Sequence, residues 1–376
     1  MLKNMVALII AAALSGAVAG LSAAEPPSPN TALATEQIEK IEIAVSAKMA
    51  ERHIPGLSLA IVKDGHLISL QSFGLANVED SVLVTDATVF RIASTTKPIT
   101  ATAAMQLAER GSLDLDAPVQ TYAPTFPAKE FPITTRELLA HVSGIRNYRR
   151  GEPERTDHFN SLTDALVIFK DDSLDFEPGT KFAYSTFGYT LLGVVIEGAS
   201  GMSFPDYLRE HIFKPAGMSH TQPDDARVTI PNRAQGYTPK TYGVFDGDYR
   251  HGQPIDSSYK LPAGGLVSTA EDVARFAIAV LDGVLIKPET LALMSVNQKT
   301  RGGSETGYGY GWYTGSRAGR EPGESVWHGG VQAGFTSELW LLPKERFAVV
   351  VLTNLEGGGA LGLAALANEV ADIILD

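Results

Sequence analysis

Cysteine is absent from all 376 residues, which excludes disulfide staples and any lipid anchor attached to a cysteine. The absence does not conflict with export, since a chain of this length buries enough surface to fold without cross-links. Blocks of like charge are also missing. The 31 basic and 43 acidic residues are interspersed, and a net charge of −12 offers no basic face to a nucleic acid. Beyond the first residues no apolar run is long enough to cross a bilayer. There is no internal repeat and no low-complexity tract. No Gly-x-Ser-x-Gly elbow occurs, which argues against an α/β-hydrolase. No His-Glu-x-x-His occurs either, and the 8 histidines are scattered, so neither a metal nor a cofactor is expected. Gly357, Gly359 and Gly362 match a dinucleotide fingerprint. With fourteen residues after Gly362, however, the second strand and ribose-binding acid that would give the match meaning are not expected. Those glycines read as loosening a turn.

What is present begins with Lys3, an apolar run from Met5 to Leu21, and small residues before Ala24-Glu25-Pro26-Pro27. A basic start, an apolar middle and a small-residue cleavage site make a secretory signal, cut after Ala24 or after Ala19. The run is nearly long enough to span a membrane, so a retained anchor is the alternative. Residues 25–35 read as a Pro/Ser linker. The expected protein is exported, periplasmic or secreted, with no membrane span once the signal is removed.

Thr35, Ile38, Ile41, Val45 and Met49 give a helix ending near His53. Leu57 to Val62 and Leu67 to Phe73 flank Asp64-Gly65, a strong hairpin signal. From Ser94 to about residue 300 the pattern is mainly helical with long loops, and Ser268 with Glu271 forms a capping box before a helix. Three strand-like runs follow, Ser325 to Trp327, Phe335 to Leu342 and Phe347 to Thr353, the last two joined by Pro343-Lys344-Glu345-Arg346. A final helix is expected from about Ala360 to Ile374. Strands at both chain ends join most simply into one antiparallel sheet carrying the terminal helices, an α+β fold. The sheet part is expected over about 36–93 and 301–376, the helical part over about 94–300.

Ser94 and Lys97 stand three residues apart at the mouth of a helix that runs to Gly111. That spacing puts a hydroxyl and an amine on one helical face. A serine needs a neighbour to take its proton, and a lysine serves only when uncharged. Lowering its pKa from about 10.4 to near 7 costs on the order of 4–5 kcal/mol, so burial or nearby cations must supply the shift. A helix mouth also favours developing negative charge, and Pro98 is tolerated in a first turn. The same spacing recurs at Ser257 and Lys260, in a polar stretch from Gly252 without that setting. Ser257 is therefore set aside as a nucleophile.

Such a pair needs an oxyanion hole, a substrate clamp and a second proton carrier. Tyr184 sits on a loop before a helix, either sharing the proton with Lys97 or packed beneath the loop. His328-Gly329-Gly330 ends an edge strand, where glycines admit a second backbone and N–H groups can face an oxyanion. A Gly-rich strand turn would read the same way.

Taken in order, Ser94-x-x-Lys97, Tyr184-x-Thr186 and His328-Gly329-Gly330 resemble the serine β-lactamase-related, penicillin-binding-protein-like family, which holds class C β-lactamases, D-alanyl-D-alanine carboxypeptidases and related esterases. The strings Glu137 to Ile145, Phe182 to Tyr189, and Asp256 to Lys260 before Ala263-Gly264-Gly265 are similar to its mitochondrial lactamase-like serine proteases and their bacterial relatives. The resemblance implies a serine β-lactamase/transpeptidase-like catalytic domain over 36–376. It implies that Ser94 is acylated, that Lys97 and Tyr184 shuttle its proton, and that Thr186 contacts the substrate amide. Ser94 and Val331 would lend backbone N–H groups to the oxyanion hole, and His328 would meet a substrate carboxylate or carbonyl. His141 is expected to be a structural loop or helix-end residue. Class C β-lactamases have Asn at the Thr186 position and Lys at the His328 position, so the chemistry carries over better than the antibiotic. The function implied is hydrolysis of small peptides first, esters or β-lactams by the same machinery second. An inactive binding or filament-forming module is the reading from another class.

Overall fold

Asp64 and Gly65 take left-handed φ angles of 53° and 77° and fold strand β1 (Gly56–Lys63) back on strand β2 (His66–Asn77). Positive φ at both central residues matches the right-handed twist of the paired strands. The computed structural model describes residues 33–241, 243–315 and 324–376; the expected signal and residues 25–32 of the linker lie outside them. Strands β3 (Val326–Gln332), β4 (Phe335–Leu342) and β5 (Phe347–Thr353) come from the far end of the chain. β5 pairs antiparallel with β1, Leu59 opposite Val351. The six-stranded sheet runs Val82–Leu83, β2, β1, β5, β4, β3, so both chain ends build it.

Six helices cover the sheet or carry residues of the site: α1 (Thr35–Arg52), α2 (Thr96–Glu109), α3 (Thr135–Leu139), α4 (Thr186–Ser200), α5 (Ala270–Leu281) and α6 (Leu363–Leu375). The near-continuous apolar runs of β1 and β5 follow from burial on both faces. Leu57, Leu59, Ile61, Val349 and Val351 point to α1 and α6, packing on Ile41, Val45, Leu366 and Val370. Ala60, Val62, Val350 and Leu352 point the other way, to Val273, Phe276 and Val280 of α5 and on to the helical region. The fold is the α+β arrangement expected, with a mainly helical middle.

Four details differ from the sequence expectation. β3 continues through His328-Gly329-Gly330, with Gly330 opposite Ser337, and turns only at Gly334, whose φ is 82°. The middle of the chain also holds short strands: Phe90–Arg91, Leu266–Ser268 and Gln222–Pro223 form a small sheet, and Tyr237–Pro239 pairs with Tyr249–His251. Two or three residues carry too little pattern to announce a strand. α5 lies on β1, β2 and β5, so the sheet layer takes in a helix expected in the helical part. Its cap is Thr269, whose hydroxyl accepts from the Asp272 N–H at 3.2 Å, because Ser268 is held in its strand.

Candidate active site

Ser94 lies in a tight turn, Ala93–Thr95, that runs directly into α2. Ala93 enters it with φ of 45°, a left-handed backbone costing an alanine on the order of 1–2 kcal/mol. Neighbours on both sides hold it there. Ile92 N–H donates to Leu266 O at 3.1 Å, and Arg91 donates to Asp224 at 2.7 Å. On the sheet side, Ser337 Oγ donates to Ile92 O at 2.7 Å and Thr95 Oγ1 to His328 O at 3.1 Å. The turn is thus fastened to the β3 edge through β4. Gly330 fits into that seam, where an added Cβ would lie 2.5 Å from Ile92 O.

Lys97 is fully buried, at 0 % exposure. Its Nζ stands 3.1 Å from Ser94 Oγ and donates to Ala263 O at 2.6 Å. The ring of Tyr184 covers it at 4.7 Å and that of Tyr189 at 5.6 Å. Burial drives its pKa well below the ordinary lysine value, and the charge of Lys260 adds to the shift. A neutral amine donates one hydrogen to Ala263 O and offers its lone pair to the Ser94 hydroxyl.

The Tyr184 hydroxyl hydrogen-bonds with Ser94, and burial pushes its pKa well above 10, helped by Tyr313. Burial outweighs the Ser94 hydrogen bond, which lowers it, so the phenol keeps its proton. A neutral Lys97 with a neutral Tyr184 holds as many protons as an ammonium–tyrosinate pair, and a dry site favours the uncharged version.

His328 is 1 % exposed and does not reach the cleft wall. Its Nδ1 meets Gly329 O at 2.8 Å, and its Nε2 meets the Tyr308 hydroxyl at 3.0 Å. Those partners assign the proton to Nδ1, with Tyr308 donating to Nε2. Burial, then the charge of Lys97, pushes its pKa down to about 3. The contact to a substrate carboxylate or carbonyl that the resemblance implies does not match this position, which is not on the cleft wall. His141 does end α3, with a left-handed φ of 57°, as expected of a helix-end residue. Yet its ring stacks 4.3 Å from Tyr184, 4.7 Å from Tyr308 and 4.9 Å from Tyr189. Its Nδ1 accepts from Ser185 N–H at 3.1 Å, fixing the loop that carries Tyr184.

A cleft of about 270 Å³ opens in front of Ser94, lined by Tyr148, Thr186, Lys260, Val331 and Gln332 among others. Thr186 opens α4, where Ser185 Oγ caps Gly188 N–H at 2.9 Å and Thr186 N–H donates to Asn147 Oδ1 at 3.0 Å. Val331 faces out from the edge strand, 46 % exposed. So Ser94, Lys97 and Tyr184 meet at one point, Thr186 and Val331 border the cleft, and Gly330 backs onto Ser94. Ser257 also precedes a helical turn, but its Oγ donates to Asp224 at 3.1 Å and accepts from Gln332 at 2.7 Å. Buried bonding, not its surroundings in sequence, keeps it from the cleft. Sequence reasoning missed Lys260 and Tyr308 as parts of this site. Lys260 lay in a string already singled out, and nothing local marked Tyr308.

A protein-family model described as Beta-lactamase matches residues 41–372. The chain is 30 % identical to the human "Serine beta-lactamase-like protein LACTB, mitochondrial", over 77 % of this chain and 69 % of that protein. It is 28 % identical to "Protein flp" of Staphylococcus aureus (strain MW2), over 86 % of this chain and 64 % of that one. It thus spans about two thirds of the length of these curated relatives. The solved D-amino acid amidase of Ochrobactrum anthropi SV3 has a TM-score of 0.76 and 27 % identity, covering 91 % of this chain and 99 % of its own.

Proposed function

This chain belongs to the Beta-lactamase family of serine hydrolases, and from that premise we propose that it cleaves amide or ester bonds through an acyl-enzyme on Ser94, acting first as a peptidase. The observation carrying this reading is a buried Lys97 without a carboxylate partner among the described residues, 3.1 Å from the serine hydroxyl. An amine kept neutral there is a base at neutral pH.

In the proposed cycle the Ser94 oxygen attacks the scissile carbonyl carbon while Lys97 takes the hydroxyl proton. The oxyanion faces the backbone N–H groups of Ser94 and Val331, with Gly329 and Gly330 keeping the β3 edge close. Losing one such donor typically slows an enzyme about 10²–10³-fold. The Tyr184 phenol then protonates the leaving nitrogen or oxygen and is reprotonated from Lys97, leaving an ester on Ser94. Water attacks that ester, gives its proton back through the same pair, and frees the acid. Thr186 borders the cleft, where its hydroxyl would meet the substrate amide. No metal or cofactor enters any step. Export follows from the apolar, small-residue start of the chain, and among the described residues no helix is long and apolar enough to cross a membrane.

Labelling with a fluorophosphonate tests the chemistry: the wild type is expected to label and Ser94→Ala is not. An unlabelled wild type would favour an inactive binding module. A panel of L-peptide amides, D-Ala-D-Ala peptides, p-nitrophenyl esters and a chromogenic cephalosporin ranks the substrates, with peptides expected first.

A further inference from the structure

Lys260 is a cation without a counter-ion. It is 5 % exposed, lies on the cleft wall with Ser94 and Thr186, and its ammonium makes no hydrogen bond or ion pair among the described residues. What it touches is aromatic: the rings of Tyr259 at 5.4 Å and Tyr148 at 6.0 Å. The acids around it are committed elsewhere. Asp224 binds Arg91 and Arg233, and Asp256 binds His158 at 2.9 Å and Ser258 N–H at 2.8 Å. Glu356, also on the cleft, accepts from Thr238 at 2.7 Å and Gly334 N–H at 3.1 Å. Glu154 is on the exposed rim, as is Arg250. The inner end of the cleft is therefore positive and its rim is mixed.

Burying an ammonium without an anion is costly, and the open side of this one faces the space that substrate fills. We propose that Lys260 receives a carboxylate of the substrate, so that the enzyme selects amides and esters bearing a negative charge beside the scissile carbonyl. The inference rests on the acyl-enzyme reading of Ser94. His328 cannot take this part, being neutral and walled off by Tyr308 and Gly329. A docked carboxylate would also cancel the Lys260 charge that depresses the Lys97 pKa. Lys97 would then become a stronger base once substrate is in place.

The charge is pH-limited. Burial, then Arg91, lowers the Lys260 pKa to about 8, against Asp224, Glu154 and Asp256, which raise it. It is protonated below that pH and loses its charge above it.

The test pairs p-nitrophenyl hemiglutarate with p-nitrophenyl butyrate, and a peptide acid with its amide, on wild type, Lys260→Met and Lys260→Arg. The ester pair places the carboxylate on the acyl side, the peptide pair on the leaving side. In at least one pair, Lys260→Met is expected to cut the preference for the charged member about tenfold or more, the scale of one charge-assisted bond, and Lys260→Arg to restore part of it. Equal losses on both members of both pairs would overturn the proposal and leave Lys260 acting on Lys97 alone. On the wild type, KM for the preferred charged substrate should climb above pH 8 while that of its neutral partner does not. Parallel curves would overturn it without relying on any variant. Failure of fluorophosphonate labelling would instead sink the acyl-enzyme reading.

Discussion

A Cβ on Gly330 would stand 2.8 Å from the backbone nitrogen of Ser94 and 2.5 Å from Ser337 Oγ. No rotamer relieves the contact with the Ser94 nitrogen, since both that atom and a Cβ are fixed by the backbone. The β3 edge and the Ser94 turn approach this closely only because the residue between them has no side chain. Gly330→Ala should therefore open the seam, costing about 1–3 kcal/mol of stability and a hundredfold or more in the rate of Ser94 labelling. Urea unfolding and labelling kinetics read the two effects separately. Labelling at the wild-type rate would show that the seam is not needed for reaction.

Tyr184→Phe keeps the ring over Lys97 and removes only the hydroxyl. Turnover should fall about 10²–10⁴-fold, while stability changes by less than about 1 kcal/mol, since a buried hydroxyl and its removal nearly balance. A variant that turns over normally would remove Tyr184 from the proton path.

Acid should destabilise the folded chain through its buried histidines. His328 has a folded pKa of about 3 against about 6.5 unfolded. Between those values the unfolded chain binds a proton that the folded chain refuses. The stability is thus whole above pH 6.5 and is lost as pH falls towards 3, by an upper limit on the order of 5 kcal/mol. His141 is shifted the same way, by burial first. Unfolding free energies measured from pH 7 to pH 4 should fall steeply, and less steeply in His328→Gln. Parallel slopes in the two proteins would refute the assignment.

Asp224 ties Arg91, three residues before Ser94, to Arg233 and Ser257. Its side chain is almost wholly buried, so removing it strands the guanidinium groups of Arg91 and Arg233. Asp224→Ala should cost about 3–5 kcal/mol, visible as a lower denaturant midpoint. Labelling should also slow, because the strained turn at Ala93 loses its anchor. A stability within about 1 kcal/mol of wild type would contradict this.

Much of the site was legible where its parts are close in sequence. Ser94 and Lys97 are one helical turn apart, and Asp64-Gly65 turns its own hairpin. The apolar runs of β1 and β5 carry their burial in composition. Legibility fails by one residue at Thr269, where strand pairing of Ser268 decides the cap. It fails more widely at His328, whose motif named the residue but not the environment. The ring is neutral and enclosed because Tyr308 and Gly329 close on it.

The sequence by itself determined the Ser94–Lys97 spacing, the α+β layout and the family, because these rest on local spacing and on patterns of residues. Only the tertiary structure decided how the protons are arranged. The Lys97 pKa falls well below the ordinary lysine value because the fold buries the amine under Tyr184 and Tyr189, and because Lys260, 163 residues further along the chain, adds its charge nearby. Desolvation and Coulomb forces depend on distance in space. No spacing along the chain contains that information.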